Sequence, residues 1–417
     1  MQRRKFLSDV GAVGAAAGLV GMSSSLHSAE RSGRSSERPH RVGVVGGGIV
    51  GASIAMHLAQ AGAQVTLFEK IAPAAGCTKA SMAGVHAFES DKHFQSLRLQ
   101  SLFAYRELDQ PMQLQVSWGG VIFWATDPAD DQMIRTRAAW VEGLPIDGLP
   151  YAVRKLDAAE FARVSGPCVD PGSISSGFFS SIEGHVDPVW VTLRFLDQAR
   201  LAGAKILYPC EVQHFEFRRN RLTGVVTTQG KFALDRLVIS SGADTPRLTS
   251  MVGYQLPMIH SPGMTAHSVQ MPLFTKMTYN APGRRRLKQL PNGRIVAETN
   301  YGRPPDIPAH VQILKETIPF PSKALEKIHG ERIFADISKD FKCARGATLS
   351  AIKLGFRPLP KDGFPVVGTV PGAADIYVAT THQGVSLAPI MGRFVTQEVM
   401  TGSPVEMFAP YRPERFI

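Results

Sequence analysis

Arg41-Val42-Gly43-Val44-Val45-Gly46-Gly47-Gly48-Ile49-Val50-Gly51 decides the fold. An apolar, β-branched run leads directly into a Gly-x-Gly-x-x-Gly turn, and Ala52 to Ala61 then carries an apolar helical pattern that Gly62 stops. Gln64-Val65-Thr66-Leu67-Phe68 reads as a second strand ending at Glu69. Together these make a Rossmann-type βαβ unit. Gly46 permits the tight turn, Gly48 leaves room for a pyrophosphate against the backbone, and Gly51 lets helix and strand pack closely. The first helical residues, Ile49 and Val50, offer unpaired N–H groups and the positive end of the helix dipole to the phosphates. Glu69, with Lys70 beside it, is placed to accept hydrogen bonds from ribose hydroxyls. The stretch predicts a dinucleotide site and by itself does not separate a flavin from a nicotinamide.

Outward from this unit, the chain has 417 residues, 44% of them apolar, enough for a large core and for more than one domain. The formal charge of +11 suggests an anionic partner, but Lys and Arg are scattered, and the dense run after the first residues is Arg284-Arg285-Arg286. That run reads as a solvated hairpin loop, with contact to an anionic substrate tail as the alternative. No nucleic-acid motif accompanies it, so nucleic acid is not expected as a partner. Cys77, Cys168, Cys210 and Cys343 form no CxxC pair, so no metal is expected. Free, mostly buried thiols are the plainer expectation for them, and one or two disulfides the alternative.

Residues 1–29 read as an export signal, and 30–39 as a polar linker. Gln2-Arg3-Arg4-Lys5-Phe6-Leu7 precedes an apolar run from Val10 to Met22, about 13 residues, where a membrane-spanning helix needs about 20. The paired arginines and the Gly/Ala-rich core resemble the twin-arginine signal of bacteria, with cleavage near Ser28-Ala29 and a periplasmic or otherwise exported destination. A basic cytosolic extension is the plain alternative. After this segment no apolar run is long enough to cross a membrane, and peripheral membrane contact stays open.

Four further stretches add to the fingerprint. Gly76-Cys77-Thr78-Lys79-Ala80-Ser81-Met82-Ala83-Gly84 is a loop of small and hydroxyl side chains following the acidic residue. Gly184-His185-Val186-Asp187-Pro188 opens an amphipathic stretch, followed by Glu211-Val212 and by Val238-Ile239-Ser240-Ser241-Gly242-Ala243. Gly355-Phe356-Arg357-Pro358-Leu359-Pro360-Lys361-Asp362-Gly363-Phe364-Pro365-Val366-Val367-Gly368 joins an Arg-Pro pair, an Asp-Gly turn and a strand. Tyr377 to Pro389 reads as a strand, a tight turn around His382, and the start of a helix. With these motifs the chain resembles the D-amino acid oxidase and glycine oxidase superfamily of FAD-dependent enzymes over most of residues 40–417.

The resemblance implies FAD as the cofactor. It gives Thr78, Lys79, Ser81 and Gly84 to the loop around the flavin, Val212 to the adenine, and Ser241 and Gly242 to the turn closing over the cofactor. It also sets Gln383, Gly384, Val385 and Ser386 at the flavin's pyrimidine edge, where a helix start favours negative charge. As catalytic residues it implies Arg357, pairing a substrate carboxylate or else bonding backbone or flavin, and His382, touching substrate or serving only as a structural donor. His86 keeps covalent flavin attachment open.

The fold class expected is α/β: a Rossmann-like FAD-binding domain with a second, antiparallel β-rich substrate domain, glutathione reductase-like or D-amino acid oxidase-like. The cofactor domain is assigned to 40–115, 180–250 and 345–417, and the substrate domain to 116–179 and 251–344, with a hairpin at Asn292-Gly293. Trp118, Phe123, Trp124, Tyr279 and Tyr301 are candidates for the pocket wall, or simply core. The expected activity is hydride removal from the α-carbon of an amine or amino acid (a D-amino acid, secondary amino acid or opine-like substrate), with oxygen, a quinone or a cytochrome as acceptor. Oxidation of hydroxy acids or polyols, and a non-catalytic flavin-binding subunit, are the rival readings.

Overall fold

The computed structural model describes residues 40–88, 91–125, 128–129, 131–132, 134–136, 153–169, 176–281, 285–299 and 323–417. The readings made for the signal, the linker, Arg284 and Tyr301 lie outside the described residues. The apolar run Arg41–Val45 forms a strand between Gln64–Phe68 and Arg236–Ile239, parallel to both. The sheet around it has six strands, completed by Lys205–Leu207 on one side and by Ala373–Thr380 and Val366–Val370 on the other. All its pairings are parallel except that of the last two strands, the pattern of a sheet covered by helices. Helices Ile49–Gln60 and Gly384–Thr401 cross over it closely. A Cβ on Gly392 would fall 2.3 Å from the Ser53 hydroxyl and 2.4 Å from the His57 ring, so glycine is required at the crossing.

The second sheet has eight strands. In order they are Leu349–Pro360, Met258–Gln270, Arg294–Glu298, Arg285–Gln289, Thr278–Ala281, Val121–Ala125, Ser176–Ser180 and Val153–Leu156. Asn292-Gly293 makes the hairpin turn, with Gly293 at φ 82° and the Gly293 N–H donating to the Leu290 carbonyl at 2.8 Å. Leu349–Pro360 pairs along Met258–Gln270 and so belongs to this sheet, although its sequence places it in the 345–417 segment read as cofactor domain. Twelve residues of extended backbone gain most by completing a ladder, and Met258–Gln270 offers one along their full length.

Alternation sorts this sheet into two faces. Trp124, Tyr279, Leu287, Ile295 and Ala297 point to one side, where Phe334 and Ile337 of helix Lys323–Asp340, with Phe341 just after it, complete an apolar core. The disulfide Cys168–Cys343 closes the end of this layer with a Cα–Cα distance of 4.8 Å, correcting the expectation of four free thiols; Cys77 and Cys210 are free. The opposite face carries charge.

The C-terminal segment is held by one buried knot. Arg412 donates to both carboxylate oxygens of Glu398 at 2.6 and 2.7 Å, and the Tyr377 hydroxyl and Val405 N–H donate to the same group at 2.5 Å each. Removing the carboxylate strands a guanidinium and a phenol in a half-buried site. Glu398→Ala is expected to cost about 3 kcal/mol in urea unfolding, the usual penalty for breaking one partner of a buried pair.

Candidate active site

The fingerprint glycines divide into two kinds. Gly46 sits at φ 111° with a would-be Cβ 2.3 Å from the Ser240 carbonyl, and a Cβ on Gly51 would lie 2.0 Å from the Gly46 carbonyl. Both are demanded by packing. Gly48 is different: a Cβ there would meet the Thr78 hydroxyl at 3.2 Å and otherwise enter open space. Gly48 caps helix Ile49–Gln60 without a side-chain bond, and the Ile49 N–H donates to Thr78 Oγ1 at 3.2 Å. Glu69 lies at the next strand tip, where its two oxygens accept the N–H groups of Gly47 and Ile71 at 2.8 Å each. A carboxylate has about four acceptor positions, so capacity remains for a ligand hydroxyl.

A second helix start faces the first. Gln383 caps helix Gly384–Thr401 with no side-chain bond, and a Cβ on Gly384 would touch Val50 at 3.2 Å. Between the two starts lies a cavity of about 690 Å³. Of the residues read from sequence, Gly46, Gly48, Ile49, Val50, Glu69, Lys70, Thr78, Ser81, Val212, Ser241, Gly242, His382, Gly384 and Val385 line it. Gly51, Lys79, Gly84, Gln383 and Ser386 are not among its lining residues. Ser386 donates instead to the Gly84 carbonyl at 2.8 Å, tying the C-terminal helix to the small-residue loop, while the Gln383 N–H is taken by Thr381 Oγ1 at 3.1 Å.

Sequence reasoning missed an ionic rim. Asp244 joins Lys70 at 3.5 Å and Arg247 at 2.8 Å, and Arg247 reaches Glu211 at 3.4 Å, all beside the cavity. Their positions just after Glu69, before Val212 and after Gly242 were the available signal. Phe356 and Pro358 also line the cavity. Arg357, between them, points to the charged face of the eight-stranded sheet. Its guanidinium lies over Gly263, where a Cβ would fall 2.8 Å from Nε, and no hydrogen bond or ion pair joins it to another described residue. Burial pushes the Cys77 thiol, in the cavity wall, up to about 11, and the two charges acting on it are Arg357 and Glu298.

Other candidates have structural places. Trp124 and Tyr279 are in the apolar core, and Trp118 is pinned by Asp109 at 2.8 Å and by Arg106 over its ring. Phe123 does face the cofactor side, against Phe88. Arg285 pairs with Asp340 and Arg286 with Glu298 at 2.8 Å, so the arginine run is not a solvated loop at these positions. His86 folds its ring against Gly84, away from the cavity lining, and its burial depresses its proton affinity strongly. Among the described residues no group of His, Cys, Asp and Glu could hold a metal, and no helix is long and apolar enough to cross a membrane.

Two helix starts whose N-cap residues make no side-chain bond, a glycine opening and an acidic strand tip suit a nucleotide diphosphate with its ring carried toward the second helix. Comparison with known proteins agrees with that chemistry. The family described as FAD dependent oxidoreductase (DAO) matches residues 41–398. Mitochondrial dimethylglycine dehydrogenase of Homo sapiens is 27% identical over 223 residues, 52% of this chain and 25% of that protein, so the match spans about a quarter of the relative's length. Glycine oxidase of Pseudomonas putida is 23% identical over 386 residues, 90% of this chain and 98% of that one. In fold, L-proline dehydrogenase from P. horikoshii superposes with a TM-score of 0.78 at 20% identity, covering 91% of this chain and 98% of its own.

Two measurements check this site. Gly46→Ala is expected to abolish folded protein, whereas Gly48→Ala should fold with unchanged circular dichroism and lose its flavin on dialysis. Acid stability tests the buried histidines: burial pushes His185 and His267 down to about 3 from an ordinary value of 6.5. The unfolded chain takes up these protons near pH 6.5 and the folded chain does not, so stability intact above pH 6.5 is lost as pH falls toward 3. His267→Gln should flatten that limb of the unfolding-versus-pH curve.

Proposed function

The chain belongs to the family of FAD-dependent oxidoreductases, and from that premise we propose that it oxidises the carbon–nitrogen bond of an amino acid or secondary amine. The observation that carries this reading is Arg357, a half-buried guanidinium beside the cofactor cavity with no partner among the described residues. A planar, permanently charged, bidentate donor in that setting suits a substrate carboxylate.

When bound, FAD supplies a two-electron acceptor for the hydride leaving the substrate α-carbon. The amides around Gly46, Gly48, Ile49 and Val50 would hold its diphosphate, and Glu69 its ribose. The start of helix Gly384–Thr401 would favour negative charge at the face it presents to the cavity. Arg357 would fix the carboxylate, and with the substrate's orientation set, positioning does most of the catalytic work. His382, in the cavity wall, is assigned to a substrate hydrogen bond. Oxygen, a quinone or a cytochrome would then take the electrons.

Export through the twin-arginine-like segment belongs to the same reading. The Cys168–Cys343 disulfide supports it, since such bonds persist in oxidising compartments.

Anaerobic mixing with D-amino acids, N-methyl amino acids and hydroxy acids tests the reading, because only the amines should bleach the flavin. Bleaching by hydroxy acids alone, or by none of them, would sink it. Arg357→Leu should lower kcat/KM for the best amine by about 30- to 150-fold, the worth of a charged hydrogen-bonded anchor of about 2–3 kcal/mol.

A further inference from the structure

The charged face of the eight-stranded sheet places an anion across from Arg357. Antiparallel partners share a face, so the pairing registers can be read as a map. Gly263 lies opposite Gly355, and Thr265 opposite Lys353. Continuing the register Ala266↔Ala297 by one residue sets Glu298 opposite Thr265, while Glu298 itself pairs with Arg286 on the next strand. Arg357, Glu298 and Arg286 therefore look out from one face. That this is the cofactor side follows from Gly355, whose would-be Cβ meets Cys77 and Ala80 of the cofactor loop.

The spacing is informative. The Arg357 guanidinium lies over Gly263. From Gly263 to Glu298 is one strand across, about 5 Å, and two residues along, about 7 Å, a lateral gap of about 8 Å. No ion pair closes it: Glu298 bonds Arg286 at 2.8 Å through one oxygen, and its other oxygen has no partner among the described residues. An α-amino acid places its carboxylate oxygen about 3 Å from its nitrogen, and two hydrogen bonds of about 2.8 Å complete a span close to 8 Å. Both charges also reach the Cys77 thiol in the cavity wall. Asn280, directly across from Arg286, adds a buried side-chain oxygen without a partner among the described residues.

Resting on the proposed amine oxidation, we propose that Glu298, steadied by Arg286, receives the substrate's amino group while Arg357 holds its carboxylate. The site then reads the two ends of a zwitterion. A carboxylic acid of the same shape lacking a nitrogen satisfies Arg357 and leaves Glu298 facing an atom that cannot donate to it. Glu298 is on this account a substrate-touching residue, and Arg286 a positioning residue that acts through it.

The test uses the flavin-loaded enzyme and two probes, N-methylglycine and its oxygen analogue methoxyacetate, with binding followed by the perturbation of the flavin spectrum. In the wild type N-methylglycine should bind more tightly, and Glu298→Gln should weaken it by roughly 10- to 100-fold while leaving methoxyacetate the same or tighter. Arg286→Met, which removes the contact that steadies the carboxylate, should lower the ratio of the two affinities in the same direction by a smaller factor. It also serves should Glu298→Gln fail to hold flavin. If the ratio is the same in all three proteins, Glu298 does not touch the amine and this inference falls while amine oxidation stands. If no amine bleaches the wild-type flavin, the underlying reading falls first and takes this one with it.

Discussion

The starts of helices Ile49–Gln60 and Gly384–Thr401 line one cavity, and neither N-cap residue, Gly48 or Gln383, makes a side-chain cap bond. Each end carries roughly half a positive charge. Bringing two such ends together is unfavourable until an anion lies between them. The molecule meets this cost with close helix crossing, made possible where Gly392 passes Ser53 and His57, and with Glu69 fastened to the fingerprint turn by the Gly47 amide and to its own loop by that of Ile71. Cofactor affinity is thus built into the arrangement of the backbone before any side chain contributes, and the ionic rim of Lys70, Asp244, Arg247 and Glu211 is an addition to it.

The eight-stranded sheet solves a different problem. It must be insoluble on one side and reactive on the other. Its apolar face is sealed by helix Lys323–Asp340 and the disulfide, while the opposite face packs Phe123, Ala125, Val153 and Phe178 into the other core at one end and carries charge at the other. Charged residues on that face are held by one another, as Arg286 is by Glu298, or by backbone, as Lys288 is by the Val186 carbonyl at 2.7 Å. Such contacts fix direction as well as energy, because a buried donor left unpaired costs more than the bond gains.

The cofactor half was legible in the chain because its determinants are local: a tight turn, a helix start and an acidic tip fall within some 30 residues and need glycine at particular places. The substrate half was less so. Leu349–Pro360 carries an Arg-Pro pair that sequence alone ties to the segments after it, yet its partner is a strand some 90 residues earlier. Arg285 and Arg286 read as a loop because their acidic partners, Asp340 and Glu298, are 55 and 12 residues away. The disulfide joins cysteines 175 residues apart, a separation over which spacing carries no signal. Where an interaction is set by strand register, the neighbours on a face come from distant segments, and composition cannot name them.

Leu349–Pro360 connects these two halves, and it does so through alternation. Phe356 and Pro358 line the cofactor cavity, while Gly355 and Arg357 face the loop and the charged face. With a side-chain period of two, inserting or deleting a single residue upstream within this strand would exchange those assignments wholesale, turning the guanidinium off the charged face and an aromatic ring onto it. The strand works as a ruler with only odd and even marks. Its side chains can be exchanged one at a time, whereas a change of length keeps both faces only at the turns at its two ends, which makes them the places where new specificities can be grafted without disturbing the cofactor.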